Sequence, residues 1–296
     1  MSTIGTRTLG VLLGALMIVG ACSDSAPSVG EVGSDTTTAQ GISDQATITP
    51  SFQIGLIPRR LSALGLEFSK HVQVFGVSIV GTPDTADDDL LHAANVMAQY
   101  LDNDADGLAD DAEVVAAMVE RGATLLMAAT PEEFESLDLD RVFDVVGDAG
   151  QDLYGSETAP DDGFDASLEE IHHLILTNGW SQVYPDALGQ LAGSEIADAM
   201  DLARSGRFEQ VPATYPDGAW FTYDDTTCDY ACQVTEYAYW VHTSLLGGQD
   251  GRSEVEREWR LTSPAAVRDG DPAAVAVLEQ PDLGLPTVLP DGDYRG

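Results

Sequence analysis

The stretch Asp102-Asn-Asp-Ala-Asp-Gly-Leu-Ala-Asp-Asp-Ala-Glu113 constrains this chain more than any other. Carboxylates recur at every second residue, at Asp102, Asp104 and Asp106, and Gly107 follows them. Charges so closely spaced repel one another unless a cation sits among them. The glycine supplies the sharp turn that would bring them round it. The spacing fits a calcium loop of the EF-hand type. Its oxygen donors would be Asp102, Asp104, Asp106, the Leu108 carbonyl, Asp110 (through water) and a closing bidentate Glu113. Apolar residues at helical spacing flank the loop, with Leu90, Leu91, Ala94, Met97 and Leu101 before it and Val114, Val115 and Met118 after it. The expected unit is therefore helix 90–101, loop 102–113 and helix 113–121. Calcium sensors use such loops in pairs, and the sequence carries a single one. Its expected role is to clamp the two helices together.

The charge balance agrees with a cation partner. Fifty acidic residues face 13 basic ones, a formal net charge of -37. Such a surface repels phosphate backbones, which excludes nucleic acid as a partner.

Near the N-terminus, Arg7 precedes an apolar run from Leu9 to Gly20, too short for a stable membrane span. The run ends in Val19-Gly20-Ala21-Cys22, which resembles the bacterial lipobox. That resemblance implies a lipoprotein signal peptide over 1–21 and a lipid on Cys22. The chain would then be exported and anchored to the membrane of the bacterial cell envelope. Residues 22–50, rich in Ser, Thr, Gly, Asp and Ala, read as a disordered tether, and 51–296 as a single globular domain. A hydrophobic content of 44% is enough for its core. In an oxidising compartment Cys228 and Cys232, four residues apart on a helix, lie within reach of a disulfide. Two free thiols or a metal-binding pair are the other readings.

Periodicity yields the elements. Val72–Val80 reads as one strand and 123–129 as a second. Residues 131–163 read as acidic and irregular, with some helix around 131–138. Helices follow over 167–177 (closed by Asn178-Gly179), 194–205, 233–246 and 272–279, with a loop rich in Pro, Tyr, Asp and Trp over 212–227. The fold class is α+β, a small sheet followed by a mostly helical half.

A second metal site is legible in Ser167-Leu-Glu-Glu-Ile-His-His-Leu-Ile175. On a helix Glu169 and His173 share a face, with Glu170 between them as a general base. Glu236 sits in the apolar, aromatic stretch 233–246, where an unpaired carboxylate is costly, and it is the candidate third ligand. Competing readings attach to the same residues. Ser167-x-x-Glu170 is also a capping box. His172 and His173 also suit an ordinary surface, and Tyr237, Tyr239 and Trp240 suit a core. Glu169-x-x-His172 has di-iron spacing, but its required second motif is absent from the sequence.

From Val72 to about residue 245, the order strand, helix, helix, strand, active-site helix, later helix resembles the catalytic domain of lethal-factor and pro-pro-endopeptidase-type zinc metallopeptidases. Gln233-x-x-Glu236-Tyr237 is similar to that group's Asn-x-x-Glu-aromatic pattern. The resemblance implies a zincin-like fold, zinc as a cofactor held by Glu169, His173 and Glu236, and hydrolysis of an extracellular peptide or protein. It also implies a tyrosine donor to the transition state, Tyr230 before Tyr223, with His242 as an alternative donor. Two departures stand out: Glu169 replaces a histidine ligand, and Gln233 replaces the asparagine. A second carboxylate leaves metal-bound water less acidic. The competing class is therefore a non-catalytic, calcium-stabilised surface or interaction lipoprotein.

Overall fold

The computed structural model describes residues 52–160 and 163–296. The expected signal peptide 1–21, the lipidation site Cys22 and the tether 22–50 lie outside the described residues.

Strands β1 (Lys70–Val74) and β2 (Val77–Gly81) form an antiparallel hairpin. The single strand expected over Val72–Val80 is thus two. The chain reverses at Phe75 and Gly76, with φ of 47° and 100°. A two-residue turn with positive φ at both positions matches the twist of its flanking strands. The bulky apolar Phe75 hid that turn, because such residues usually read as strand.

β3 (Thr124–Ala128) pairs parallel with β2, and β4 (Gly150–Tyr154) pairs parallel with β3, giving the order β1-β2-β3-β4. Parallel neighbours need long crossovers. The first holds α1 (Asp87–Leu101), the acidic loop and α2 (Ala112–Arg121); the second holds α3 (Pro131–Glu135) and α4 (Leu139–Val146). Every residue of β2 and β3 is buried, as expected of strands covered on both faces. On one face Val80, Leu126 and Ala128 pack with Leu61, Leu64, Phe134, Val142 and Val146. On the other, Ile79, Leu125, Met127 and Leu153 join the larger core with α1 and α5 (Ser167–Ile175).

The region 131–163 is more regular than its composition implies, since it contributes two helices and a strand. Its acidic residues serve as caps and solvent faces. Thr130 accepts from the Glu133 amide and Asp138 from the Arg141 amide at the two helix starts.

α5 does not stop at Asn178-Gly179. It runs through a π turn, Leu176–Trp180, into Ser181–Val183. Asn178 instead donates to the Leu174 carbonyl at 3.0 Å and accepts from Arg121 Nε at 3.1 Å. Gly179 lies against α2, where a Cβ would meet Val114 Cγ1 at 2.7 Å. The glycine serves close approach rather than termination.

The helical half comprises α6 (Glu195–Ala203), α7 (Tyr230–Leu245), α8 (Pro264–Gly270) and α9 (Pro272–Leu278). α7 starts three residues earlier than the expected 233, because Asp229 caps it by accepting from the Cys232 amide at 3.0 Å. Cys228 and Cys232 form a disulfide across its first turn. Tyr237, Tyr239 and Trp240 are core residues of α7, joined there by Phe221 and Trp259. The α+β class stands: a small mixed sheet followed by a mostly helical half. Among the described residues no helix is long and apolar enough to cross a membrane.

Gly179→Ala should overpack the junction of α2 with the π turn. The expected cost is about 1–3 kcal/mol, read as a lower midpoint of urea unfolding with an unchanged slope.

Candidate metal centres

The acidic loop follows directly from α1. Asp102 caps that helix and is fully buried. Its Oδ1 accepts from the Asp106 amide at 3.1 Å and its Oδ2 from the Gly107 amide at 2.8 Å. Gly107 has a φ of 88°, the left-handed backbone that its place in the turn requires. Asp104 Oδ1 accepts from the Asp106 amide at 3.2 Å, and Asp106 Oδ1 from the Leu108 amide at 2.9 Å. One carboxylate oxygen from each of Asp102, Asp104 and Asp106 lies within 4.8 Å of the others.

The remaining expected ligands stand apart from that group. Asp110 Oδ2 is held by the Asn103 amide at 2.7 Å. Burial and the neighbouring Asp104, Asp102 and Asp106 charges raise its pKa, against that hydrogen bond. Glu113 is exposed on the first turn of α2. The cause is local: Asp111 takes the N-cap, accepting from the Glu113 and Val114 amides, and Tyr184 donates to its other oxygen at 2.5 Å. The start of α2 is fixed by Asp111, which leaves the Glu113 side chain pointing to solvent.

The second group forms where α5 crosses α7. Ligand atoms of Glu169, His173 and Glu236 lie within 4.8 Å of one another. His173 Nε2 is 3.6 Å from Glu236 Oε2, and His173 Nδ1 is 3.6 Å from Glu170 Oε2. The Ser167 capping box is absent: the Ser167 hydroxyl donates to Asp165, and Ala166 occupies the N-cap. Glu170 is instead held by Gln151 of β4, whose Nε2 donates to Oε2 at 2.6 Å. Glu170 thus faces the Nδ1 edge of the imidazole while Glu236 faces Nε2. A carboxylate on the non-ligating nitrogen orients a metal-bound histidine. That position differs from the one expected of a base beside metal-bound water.

His172 and His173 are both buried, so neither belongs to an ordinary surface. His242 Nε2 donates to the Pro286 carbonyl at 3.0 Å, so its Nδ1 accepts from His172 Nε2 at 3.1 Å. His172 Nδ1 is then left without a partner among the rings of Tyr100, Trp180 and Tyr239. Burial lowers the pKa of both, and the pair packs in the core beside the centre. His242 is not a donor to the metal group.

Tyr230 is not one either. Its hydroxyl donates to Asp201 at 3.1 Å, and its ring lies against Arg204 and Arg207. Six residues along a helix turn a side chain roughly 240° from Glu236, so the two point away from each other. The tyrosine at the centre is Tyr223, whose hydroxyl donates to Glu236 Oε1 at 3.0 Å. It also lines a groove of about 660 Å³ bounded by Tyr215, Pro216, Asp224, Arg257 and Glu258. Tyr223 reaches Glu236 through an irregular loop, so no helical spacing announces it. Gln151 was likewise hidden, on a strand with no clear pattern of its own.

The donor set suits a divalent ion. His173 Nε2 is buried and has no hydrogen-bond partner. Two carboxylates and one imidazole match ligands that zinc takes at about 2.0–2.2 Å. Burial pushes Glu169 up to about 7, partly opposed by His173, and Glu236 up to about 8, again opposed by His173. Burial and Asp152 raise Glu170 well above its ordinary value. Bringing three carboxyl groups out of water around one imidazole is costly unless a cation joins them.

No family model matches the chain, and neither a curated protein nor a solved structure matches it.

Raised carboxyl pKa values mean that the folded chain binds more protons than the unfolded one. Stability supplied by Glu169 and Glu236 is therefore present at low pH and lost as pH rises toward their folded values of about 7 and about 8. The lowered histidines act oppositely, but only below their ordinary 6.5. Metal-free protein should lose thermal stability between about pH 6.5 and 8. Saturating zinc or the Glu236→Gln substitution should flatten that slope in calorimetric scans.

Proposed function

We propose that this chain is an exported, lipid-anchored calcium-binding protein carrying a zinc centre of the peptidase type. The observation that carries the zinc reading is the orphaned His173 Nε2, buried between Glu169 and Glu236. The sequence resemblance to zincin-like endopeptidases supports it, as does Glu236 from a later helix. Calcium is supported by the buried Asp102 and the converging Asp104 and Asp106. In this reading Glu113, which points to solvent in the structure, would turn inward from the first turn of α2 to close on the calcium ion, and the ion would clamp α1 to α2.

Zinc bound at the second centre would polarise a scissile carbonyl and acidify water. The protein's own groups divide the remaining work. Glu169, His173 and Glu236 hold the ion. Tyr223 lines the groove and its hydroxyl rests on Glu236 Oε1; released from that carboxylate, it would donate to a developing oxyanion. Burial first, and then Glu236, raise its pKa, so the hydroxyl keeps its proton. Glu170 fixes the imidazole through its Nδ1 edge, and Gln151 fixes Glu170. In this reading an extended extracellular peptide or protein would lie in the groove lined by Tyr223.

The place of Glu170 favours a second reading, a metal-stabilised surface or interaction lipoprotein without catalysis. With Glu170 on the Nδ1 edge, the carboxylate expected to take a proton from water is instead engaged with the imidazole.

Metal analysis and hydrolysis separate the two. Protein purified without chelator should carry both calcium and zinc, and His173→Ala should lose the zinc alone. Quenched-fluorescence peptide libraries should be cleaved by the wild type. Tyr223→Phe should slow cleavage by about 10²–10³-fold with zinc retained, the loss expected for one oxyanion donor. Zinc without cleavage selects the second reading. Calcium without zinc removes the second centre altogether.

A further inference from the structure

The segment Pro286-Thr-Val-Leu-Pro-Asp-Gly-Asp-Tyr294 forms no helix or strand, and its backbone polar groups need partners from elsewhere. They find them on the acidic loop and the turn before it. Gln99 lies in the last turn of α1 and Asn103 just past its cap, Asp102, with Asn103 Nδ2 donating to the Gln99 carbonyl at 3.0 Å. Asn103 Oδ1 accepts from the amides of Thr287 and Val288, both at 2.9 Å, and its Nδ2 donates to the Val288 carbonyl at 2.8 Å. Gln99 Oε1 accepts from the amides of Asp291 and Gly292 at 3.1 and 2.8 Å, and its Nε2 donates to Asp291 Oδ1 at 2.7 Å. The segment ends with Tyr294, buried against Phe52, whose hydroxyl donates to Asp102 Oδ2.

Asp102 is the first ligand of the proposed calcium loop. Its Oδ2 is taken by Tyr294 and by the Gly107 amide, which fixes the plane of the carboxylate. Oδ1 is turned toward the Asp106 amide, inside the loop. Tyr294 thus stands to Asp102 as an outer partner stands to a metal ligand. It comes from almost two hundred residues away (|i−j| = 192), so no reading of the loop's own residues includes it.

We propose that residues 286–294 are a structural part of the calcium site: Tyr294 orients Asp102 for the ion, and ion binding and docking of this strap are coupled. The proposal rests on the calcium reading of the loop. Without a cation, Asp102, Asp104, Asp106 and Asp110 repel one another, and the loop loosens under the strap. With a cation bound, the repulsion is offset, Asp102 is held, and the hydroxyl of Tyr294 keeps its acceptor. Coupling of this kind is reciprocal, so a docked strap strengthens calcium binding to the same degree.

The test uses the full chain, with calcium alone as the probe. Titration calorimetry should show Tyr294→Phe binding calcium about 10- to 100-fold more weakly than wild type, the usual loss when a ligand's outer partner is removed. Gln99→Leu removes the strap's hydrogen bonds at Asp291 and Gly292 without touching any carboxylate of the loop, and should weaken binding in the same direction. Hydrogen exchange on wild type should show the amides of Thr287, Val288, Asp291 and Gly292 slowed by calcium. Asp104→Asn, which removes a ligand outside the strap's reach, should abolish that slowing. Wild type that binds calcium with the same affinity as Tyr294→Phe and Gln99→Leu overturns the coupling and leaves the loop reading intact. Strap amides indifferent to calcium overturn it as well. Wild type that binds no calcium removes the loop reading, and the proposal falls with it.

Discussion

Everything in this fold follows from two adjacent parallel strands buried on both faces. β2 and β3 expose no residue to water, so apolar cover is required above and below them. Their parallel pairing requires a long crossover, and α1 and α2 are that crossover. The acidic loop is therefore not an appended module. It is the bend inside the connection that covers the sheet, with Leu101 buried on one side of it and Val114 on the other. In the proposed reading, a cation at that bend would offset the mutual repulsion of its carboxylates.

The second constraint is the desolvation of carboxyl groups between α5 and α7. α5 spends Leu168, Ile171, Leu174 and Ile175 on the core, and the faces left over carry Glu169, Glu170 and His173. α7 is buried from Gln233 to Ser244, so Glu236 is largely withdrawn from bulk water. Burial dominates the shifts of all three glutamates, with Tyr223, Gln151 and His173 as the nearby polar groups that offset it. A structure that tolerates this arrangement either holds protons there or holds a cation. That choice is made by pH and by metal supply.

Much of this was legible in the chain. The pairing of Glu169 with His173 follows from helical spacing alone, and Glu236 follows from the cost of a carboxylate in an aromatic stretch. The disulfide between Cys228 and Cys232 is one of the readings that their spacing allows, and the structure forms it. What was misread has particular causes. Phe75 masked a turn by being apolar. The acids of 131–163 looked irregular because caps and solvent faces share the composition of loops. Gly179 looked like a helix stop because the chain cannot state that another helix lies 2.7 Å from its missing Cβ. The resemblance points to Tyr230, about two turns before Glu236, but the helix turns that side chain to Asp201 instead.

The sequence by itself determined the elements whose cause is periodic or local: the helices on either side of the acidic loop, the ligand spacing within it, the shared face of Glu169 and His173, and the α+β class. Those depend on intervals of a few residues, which side-chain geometry turns directly into position. Only the tertiary structure decided which partners those residues have. It set Glu170 on the Nδ1 edge of His173 with Gln151 behind it, brought Tyr223 rather than Tyr230 to Glu236, and laid Tyr294 on Asp102. Each is a contact between distant segments, fixed by the packing of whole elements against the sheet. The carboxylate spacing of the acidic loop is therefore readable from its own residues, while its contacts through Gln99, Asn103 and Tyr294 are a property of the folded molecule.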